Sequence, residues 1–198
     1  MKQADIKPIT VIILAGGQSR RMGSDKGLVR LNDKPMVQHV IEKAQSISNQ
    51  IMIITNQSGY QKFGVPTYSD LIQDKGPLGG IYTGLHYSQT ENNLVLSCDI
   101  PLVPVSFLKS LVNYQAENQA YVPVYKDQEQ PLCAVYKKEI AEQMKSSIEV
   151  ENLSMRKFLT KINTAFIEIS DYDTGNKNWF ANLNTPEEVE EHQTDYDY

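Results

Sequence analysis

Three short runs constrain this chain most: residues 9–14 (ITVIIL), 51–55 (IMIIT) and 94–97 (LVLS). A strand with one wet face alternates apolar and polar side chains. A run with almost no polar position needs cover on both faces, as strands of a parallel sheet have. A loop and then a helical pattern follow each run. Residues 35–47 place Met36, Val37, Val40, Ile41, Ala44 and Ile47 on one helical face, with Pro35 suited to the first turn. A short helix is expected at 61–64, a short strand at 67–69, a Gly-rich loop over 70–80, and helices over 81–88 and 104–114. Strand, loop and helix therefore repeat three times by residue 115, which calls for right-handed βαβ crossovers.

The second half reads differently. Residues 120–125 and 132–136 are two strands joined by the polar segment 126–131, so a hairpin or a local antiparallel addition. Helices follow at 138–148 and 154–161, a strand at 165–169 and a short strand at 179–183. Thr185 as N-cap and Pro186 behind it open a last helix. The expectation is an α/β fold of three layers: a Rossmann-like, mixed but mostly parallel sheet with helices on both faces. No internal repeat or low-complexity linker breaks the chain. A single domain over 1–198 is expected, nucleotide-binding to about 105 and acceptor-binding beyond, with an acidic tail at 193–198.

Composition narrows the function. Forty per cent hydrophobic residues over 198 positions can fill a core. The net charge of -5 argues against nucleic acid as a general partner. Six of the acids lie between Glu187 and Tyr198, where no Lys or Arg occurs, so the body is close to neutral. A small anionic substrate is admissible where basic residues gather. The polar start of the chain does not read as a signal peptide, and no apolar run approaches a membrane span. Cys98 and Cys133 lack metal spacing and read as buried free thiols in a reducing cytoplasm. His39, among apolar helix residues, reads as structural.

In an open α/β sheet the ligand lies beyond the carboxyl ends of the strands. Three loops leave such ends, at 15–27, 70–80 and 98–101. In the first, Gly16 and Gly17 let backbone N–H groups approach an anion. Arg20 and Arg21 offer planar donor forks for phosphate, and Lys26 a compact charge to neutralise an α-phosphate under attack. The loop is neither a Walker A motif nor Gly-x-Gly-x-x-Gly. In the third loop, Asp99 ends a buried strand before Ile100-Pro101, a placement that suits a magnesium ligand. In the second, Asp70 and Asp74 are both candidate acceptors, and Gly76-Pro77-Leu78-Gly79-Gly80 is a tight turn or a second anion approach at a helix N-terminus.

Leu14-Ala15-Gly16-Gly17, followed by Arg21-Met22-Gly23 and Asp25-Lys26, resembles the signature of the molybdenum cofactor guanylyltransferases. That family lies within the nucleotidyltransferases of the nucleotide-diphospho-sugar transferase type. Further likenesses are Cys98-Asp99-x-Pro101, Lys75-Gly76-Pro77-Leu78-x-Gly80 and Asn182-x-Asn184-Thr185-Pro186-Glu187-Glu188. Together they reach from Ile12 to about Glu191. The resemblance implies transfer of GMP from GTP to the terminal phosphate of molybdenum-bound molybdopterin, with release of pyrophosphate. It implies Mg²⁺ on Asp99 and GTP held by Leu14, Ala15, Gly16, Gly17, Lys26, Asp70 and Asp99. Lys26, Asp99 and Arg21 would be catalytic. Gly79, Gly80, Asn182 and Asn184 would face the molybdopterin, with Arg156 as a further basic residue. Partners would be molybdenum-inserting and molybdoenzyme-maturation proteins. The chain departs from the pattern on the second strand, where the family has an Asn and this sequence has Ile54, with Asn56 two residues later. A cytidylyltransferase or sugar-phosphate nucleotidyltransferase of the same fold, or a non-catalytic nucleotide-binding protein, remain the alternatives.

Overall fold

The computed structural model describes residues 8–16, 25–114, 117–169, 179–181, 183 and 188. The first apolar run forms β1 (Ile9–Leu14), buried at every position. It lies in parallel between β4 (Gln50–Ile54) and β6 (Asn92–Ser97). The register pairs Leu14 with Ile54 on one side and with Ser97 on the other, so the three strands end level. β5 (Thr67–Tyr68) adds in parallel beyond β4. On the other flank, β9 (Cys133–Lys137) runs antiparallel to β6 and to β7 (Ala120–Tyr125), and β10 (Thr164–Glu168) is parallel to β7. The order is β10-β7-β9-β6-β1-β4-β5, with β8 (Gln128–Glu129) hooked onto β7.

Alternate residues of β1 feed two cores. Val11 and Ile13 face a cluster with Val37, Val40, Ile41 and Ala44 of α1 (Met36–Gln45) and Phe107, Leu108 and Leu111 of α3 (Val105–Val112). Ile12 and Leu14 face Leu78, Ile81 and Leu85 of α2 (Gly76–Tyr87), Met144 and Ile148 of α4 (Ala141–Glu149), and Phe158 and Leu159 of α5 (Met155–Leu159). Helices thus cover both faces of a mixed, mostly parallel sheet, as the apolar runs require. No helix among the described residues is long and apolar enough to cross a membrane.

Two local expectations are corrected, and one element not expected from the sequence is added. The segment 76–80 is not loop: α2 begins at Gly76, with Pro77 in its first turn. Gly79, Gly80 and Gly84 pack rather than turn: a Cβ on Gly84 would come within 2.8 Å of Ile12 Cδ1 in β1. Within 70–80, positive φ occurs at Asp74 (59°) and Gly76 (57°), where the chain turns into the helix. Second, Trp179 and Phe180 form a turn, not a strand, and Phe180 is buried against Phe107. Third, a two-stranded hairpin, β2 (Arg30–Leu31) with β3 (Lys34–Pro35), precedes α1. Its turn residues Asn32 (46°) and Asp33 (62°) both have positive φ, the geometry of a two-residue hairpin turn. The expected helix from Thr185 lies outside the described residues except for Glu188, which is helical.

Candidate functional site

The level ends of β1 and β6 determine what meets above them. Ala15 N donates to Ile54 O at 2.9 Å, and Cys98 N donates to Leu14 O at 3.1 Å. These bonds extend the sheet ladder one residue past each strand. Gly16 is then the first residue beyond the ladder, exposed, with open space where a Cβ would stand. Gly17, Arg20 and Arg21 lie outside the described residues.

The chain returns at Asp25, which N-caps a single 3-10 turn, Lys26–Leu28, by accepting from Gly27 N at 3.1 Å. That turn carries Lys26 to Asp99, just past β6, and Lys26 Nζ donates to Asp99 Oδ2 in an ion pair. The two side chains are 18% and 17% exposed, so the pair sits largely out of water. The loop from β1 and the loop from β6 are therefore joined through opposite charges, as their positions at neighbouring strand ends anticipate. Asp99 Oδ1 is buried and has no hydrogen-bond partner among the described residues; the same holds for Asp25 Oδ2. Two carboxylate oxygens withheld from water and from donors form a strong attractor for a cation or for N–H groups.

A residue that sequence reasoning missed fixes Asp25. Tyr60 is fully buried, and its hydroxyl donates to Asp25 Oδ1 at 2.5 Å. Burial first, then the neighbouring Cys98 and Asp25, push its phenol far above the ordinary range, so it stays a donor. Tyr60 and Cys98 also explain Gly27: a Cβ there would collide with the Tyr60 hydroxyl and stand 3.1 Å from Cys98 Sγ. A tyrosine on a loop 35 positions from its partner leaves no local pattern. Cys98 and Cys133 are both buried free thiols, raised by desolvation.

On the other side of β1, Asp70 lies two residues beyond β5. Asn56, two residues beyond β4, donates from Nδ2 to Asp70 Oδ2 at 2.8 Å and accepts from Asp70 N at 2.9 Å. Burial pushes the Asp70 carboxyl above its usual range; the Asn56 donor opposes this and nearby Asp74 adds to it. Asp70 Oδ1 is buried without a partner among the described residues. Asp74 is exposed. Gly80, buried in α2, lies against both β1 and Asp70, since its Cβ would stand 3.2 Å from Leu14 Cδ2 and 3.8 Å from Asp70 Oδ1. Gly79 is also buried; a Cβ on it would meet Lys75 Cβ at 2.8 Å, and its carbonyl accepts from Thr83 Oγ1.

The remaining expected residues are dispersed. Lys75 is paired with Glu151 at 2.6 Å, beyond the end of α4. Arg156 is 85% exposed, its Nε 3.9 Å from Glu129. Asn182 and Asn184 lie outside the described residues, although their neighbour Leu183 is buried and donates from its N to Asp99 O at 3.2 Å. His39 is buried in α1 with Nε2 2.8 Å from Leu31 O, a satisfied structural histidine.

A mixed sheet in which β9 and the short β8 are reversed, with helices on both faces, carries a lysine–aspartate pair above its central strand ends; by its family the chain is a nucleotidyltransferase. Two solved structures show that fold. Molybdopterin-guanine dinucleotide biosynthesis protein A from Archaeoglobus fulgidus superposes with a TM-score of 0.80 at 24% identity, covering 93% of this chain and 97% of that one. CMP:2-keto-3-deoxy-manno-octonic acid synthetase, solved with CTP, gives 0.73 at 14% identity, covering 94% and 97%. Within the class, the family model described as MobA-like NTP transferase domain matches residues 11–165, and the chain belongs to that family. A probable molybdenum cofactor guanylyltransferase from Flavobacterium johnsoniae is 38% identical over 186 residues, 93% of this chain and 96% of the relative.

Proposed function

We propose that the protein transfers GMP from GTP to the terminal phosphate of molybdenum-bound molybdopterin, releasing pyrophosphate and forming the guanine dinucleotide cofactor. The observation that carries this reading is the pairing of Lys26 with Asp99 across the carboxyl ends of β1 and β6, within a family whose relatives bear the guanylyltransferase name. An acceptor phosphate oxygen attacks the α-phosphorus in line as the bond from that phosphorus to the β-phosphate bridging oxygen breaks. A phosphate monoester is already ionised at neutral pH, so no general base is needed. Catalysis then rests on positioning and on neutralising charge at the α-phosphoryl group.

Lys26 supplies that neutralising charge, and Arg21 and Gly17 complete the phosphate loop with Gly16. Leu14 and Ala15 form its base. Asp70 takes a donor of the nucleoside. Gly79, Gly80, Asn182 and Asn184 are assigned to the molybdopterin side. The residues present fit a magnesium ion, which needs one or two hard carboxylate oxygens, because Asp99 Oδ1 is buried and unpartnered among the described residues. Asp99 would hold it, and the ion would offset charge on the departing pyrophosphate. Molybdenum-inserting and molybdoenzyme-maturation proteins complete the proposal as supplier and recipient.

Pyrophosphate release from GTP, Mg²⁺ and molybdopterin tests the reading directly. GTP should turn over faster than CTP. Preference for CTP would make the protein a cytidylyltransferase. GTP binding without pyrophosphate release would make it a non-catalytic binder.

A further inference from the structure

Asn56 is exposed, yet both ends of its amide are engaged. Nδ2 donates to one carboxylate oxygen of Asp70 and Oδ1 accepts from the Asp70 peptide N–H. This two-point clamp fixes both the backbone and the carboxylate plane of Asp70. Because Asn56 Nδ2–H occupies Oδ2, Oδ1 is the oxygen left over. It is buried, has no partner among the described residues, and faces Gly80, the helix position where a side chain would fill the space beside it. Core packing does not account for an exposed amide. Presenting one chosen oxygen does.

We propose that Asn56 is a positioning residue for nucleotide selection: it orients Asp70 so that Oδ1 accepts an N–H or O–H of the bound guanine nucleotide. The inference rests on the GTP-binding role assigned to Asp70 above. The groups packed around Asp70 are Asp74 on its own loop, Asn56 after β4, Gly80 of α2 and, through Leu71 N, the Thr83 hydroxyl of α2. The Asn56 donor is thus the contact that favours the ionised, accepting form of the carboxylate. Asn56 itself does not touch the ligand.

Calorimetric titration of GTP into Asn56→Ala, Asp70→Asn and the double variant separates these roles. Asn56→Ala should weaken GTP about tenfold, the scale of one charge-assisted hydrogen bond. Its thermal midpoint should stay in place, and the acid limb of its affinity should move to higher pH. In the Asp70→Asn background the Asn56 change should add nothing. Additive losses, or a GTP affinity untouched by Asn56→Ala, overturn the inference while leaving the nucleotide role of Asp70 standing. Unchanged affinity in Asp70→Asn alone overturns that role and the inference with it. Repeating the cycle with 2′,3′-dideoxyguanosine triphosphate names the donor: coupling retained means the base edge, coupling lost means a ribose hydroxyl, and either supports the proposal.

Discussion

The two ends of the same strands bury polar groups in opposite ways. At the amino ends of β1 and β6, the hydroxyls of Thr10, Ser88 and Thr90 lie 2.8–3.3 Å from one another. Lys138 donates to Ser88 O at 2.6 Å, and Asn93 Nδ2 to Thr90 O at 3.2 Å. The side chains of that network are neutral apart from Lys138, and they satisfy one another except at Asn93 Oδ1. At the carboxyl ends the side chains are charged. Lys26 and Asp99 pair, yet Asp25, Asp70 and Asp99 each keep one buried oxygen without a partner among the described residues. Unmet buried acceptors are costly. Their concentration at one edge means that edge is built to be completed by something else, while the other edge is built to hold the sheet.

The contrast can be broken from either side. The largest effect should come from Lys26→Ala or Asp99→Ala, each lowering kcat for pyrophosphate release by about 10²–10³-fold, the scale of losing one charge-stabilising group; circular dichroism should show the fold intact. Next, Tyr60→Phe removes a hydrogen bond to a carboxylate and should cost about 1.5–3 kcal/mol in urea denaturation. Thr10→Val, at the opposite end, should cost about 1–2 kcal/mol in the same assay and leave kcat/KM unchanged; a loss of turnover there would erase the distinction between the two edges. The smallest effect concerns pH. Burial disfavours the His39 cation first, with its Leu31 carbonyl partner only partly opposing, so its imidazole lies below the ordinary 6.5. The unfolded chain takes up that proton first. Stability contributed by His39 is therefore complete above pH 6.5 and declines as pH falls below it; His39→Gln should flatten that slope in denaturation measured across pH 5 to 8.

The sequence was most legible where the physics is local. A run such as ITVIIL needs cover on both faces wherever it is placed, and the meeting of Lys26 with Asp99 follows from loops that leave neighbouring strand ends. α2 was less legible because Gly76, Gly79, Gly80 and Gly84 weaken helix propensity. Only the finished fold explains three of them, since Lys75, Leu14 and Ile12 occupy the space that side chains at 79, 80 and 84 would take, while Gly76 has a positive φ. The hairpin at Arg30–Pro35 is too short to show a period, and only the Asn-Asp turn hints at it. The Asn56–Asp70 clamp and the Tyr60–Asp25 bond join residues 14 and 35 positions apart. Neither exists until β4, β5 and β1 stand in register, so no window of sequence contains them.

The central position of β1 also has a kinetic side. One of its edges pairs with β4, but the other waits for β6, where Leu14 finally meets Ser97. During synthesis this apolar strand therefore emerges before the other described strands and keeps an open, hydrogen-bond-hungry edge until residues 92–97 have followed. Such an edge is a template for pairing with other chains. Yield of folded protein should accordingly depend on how quickly residues 92–97 arrive, and slowing translation between β4 and β6 should favour aggregates over enzyme.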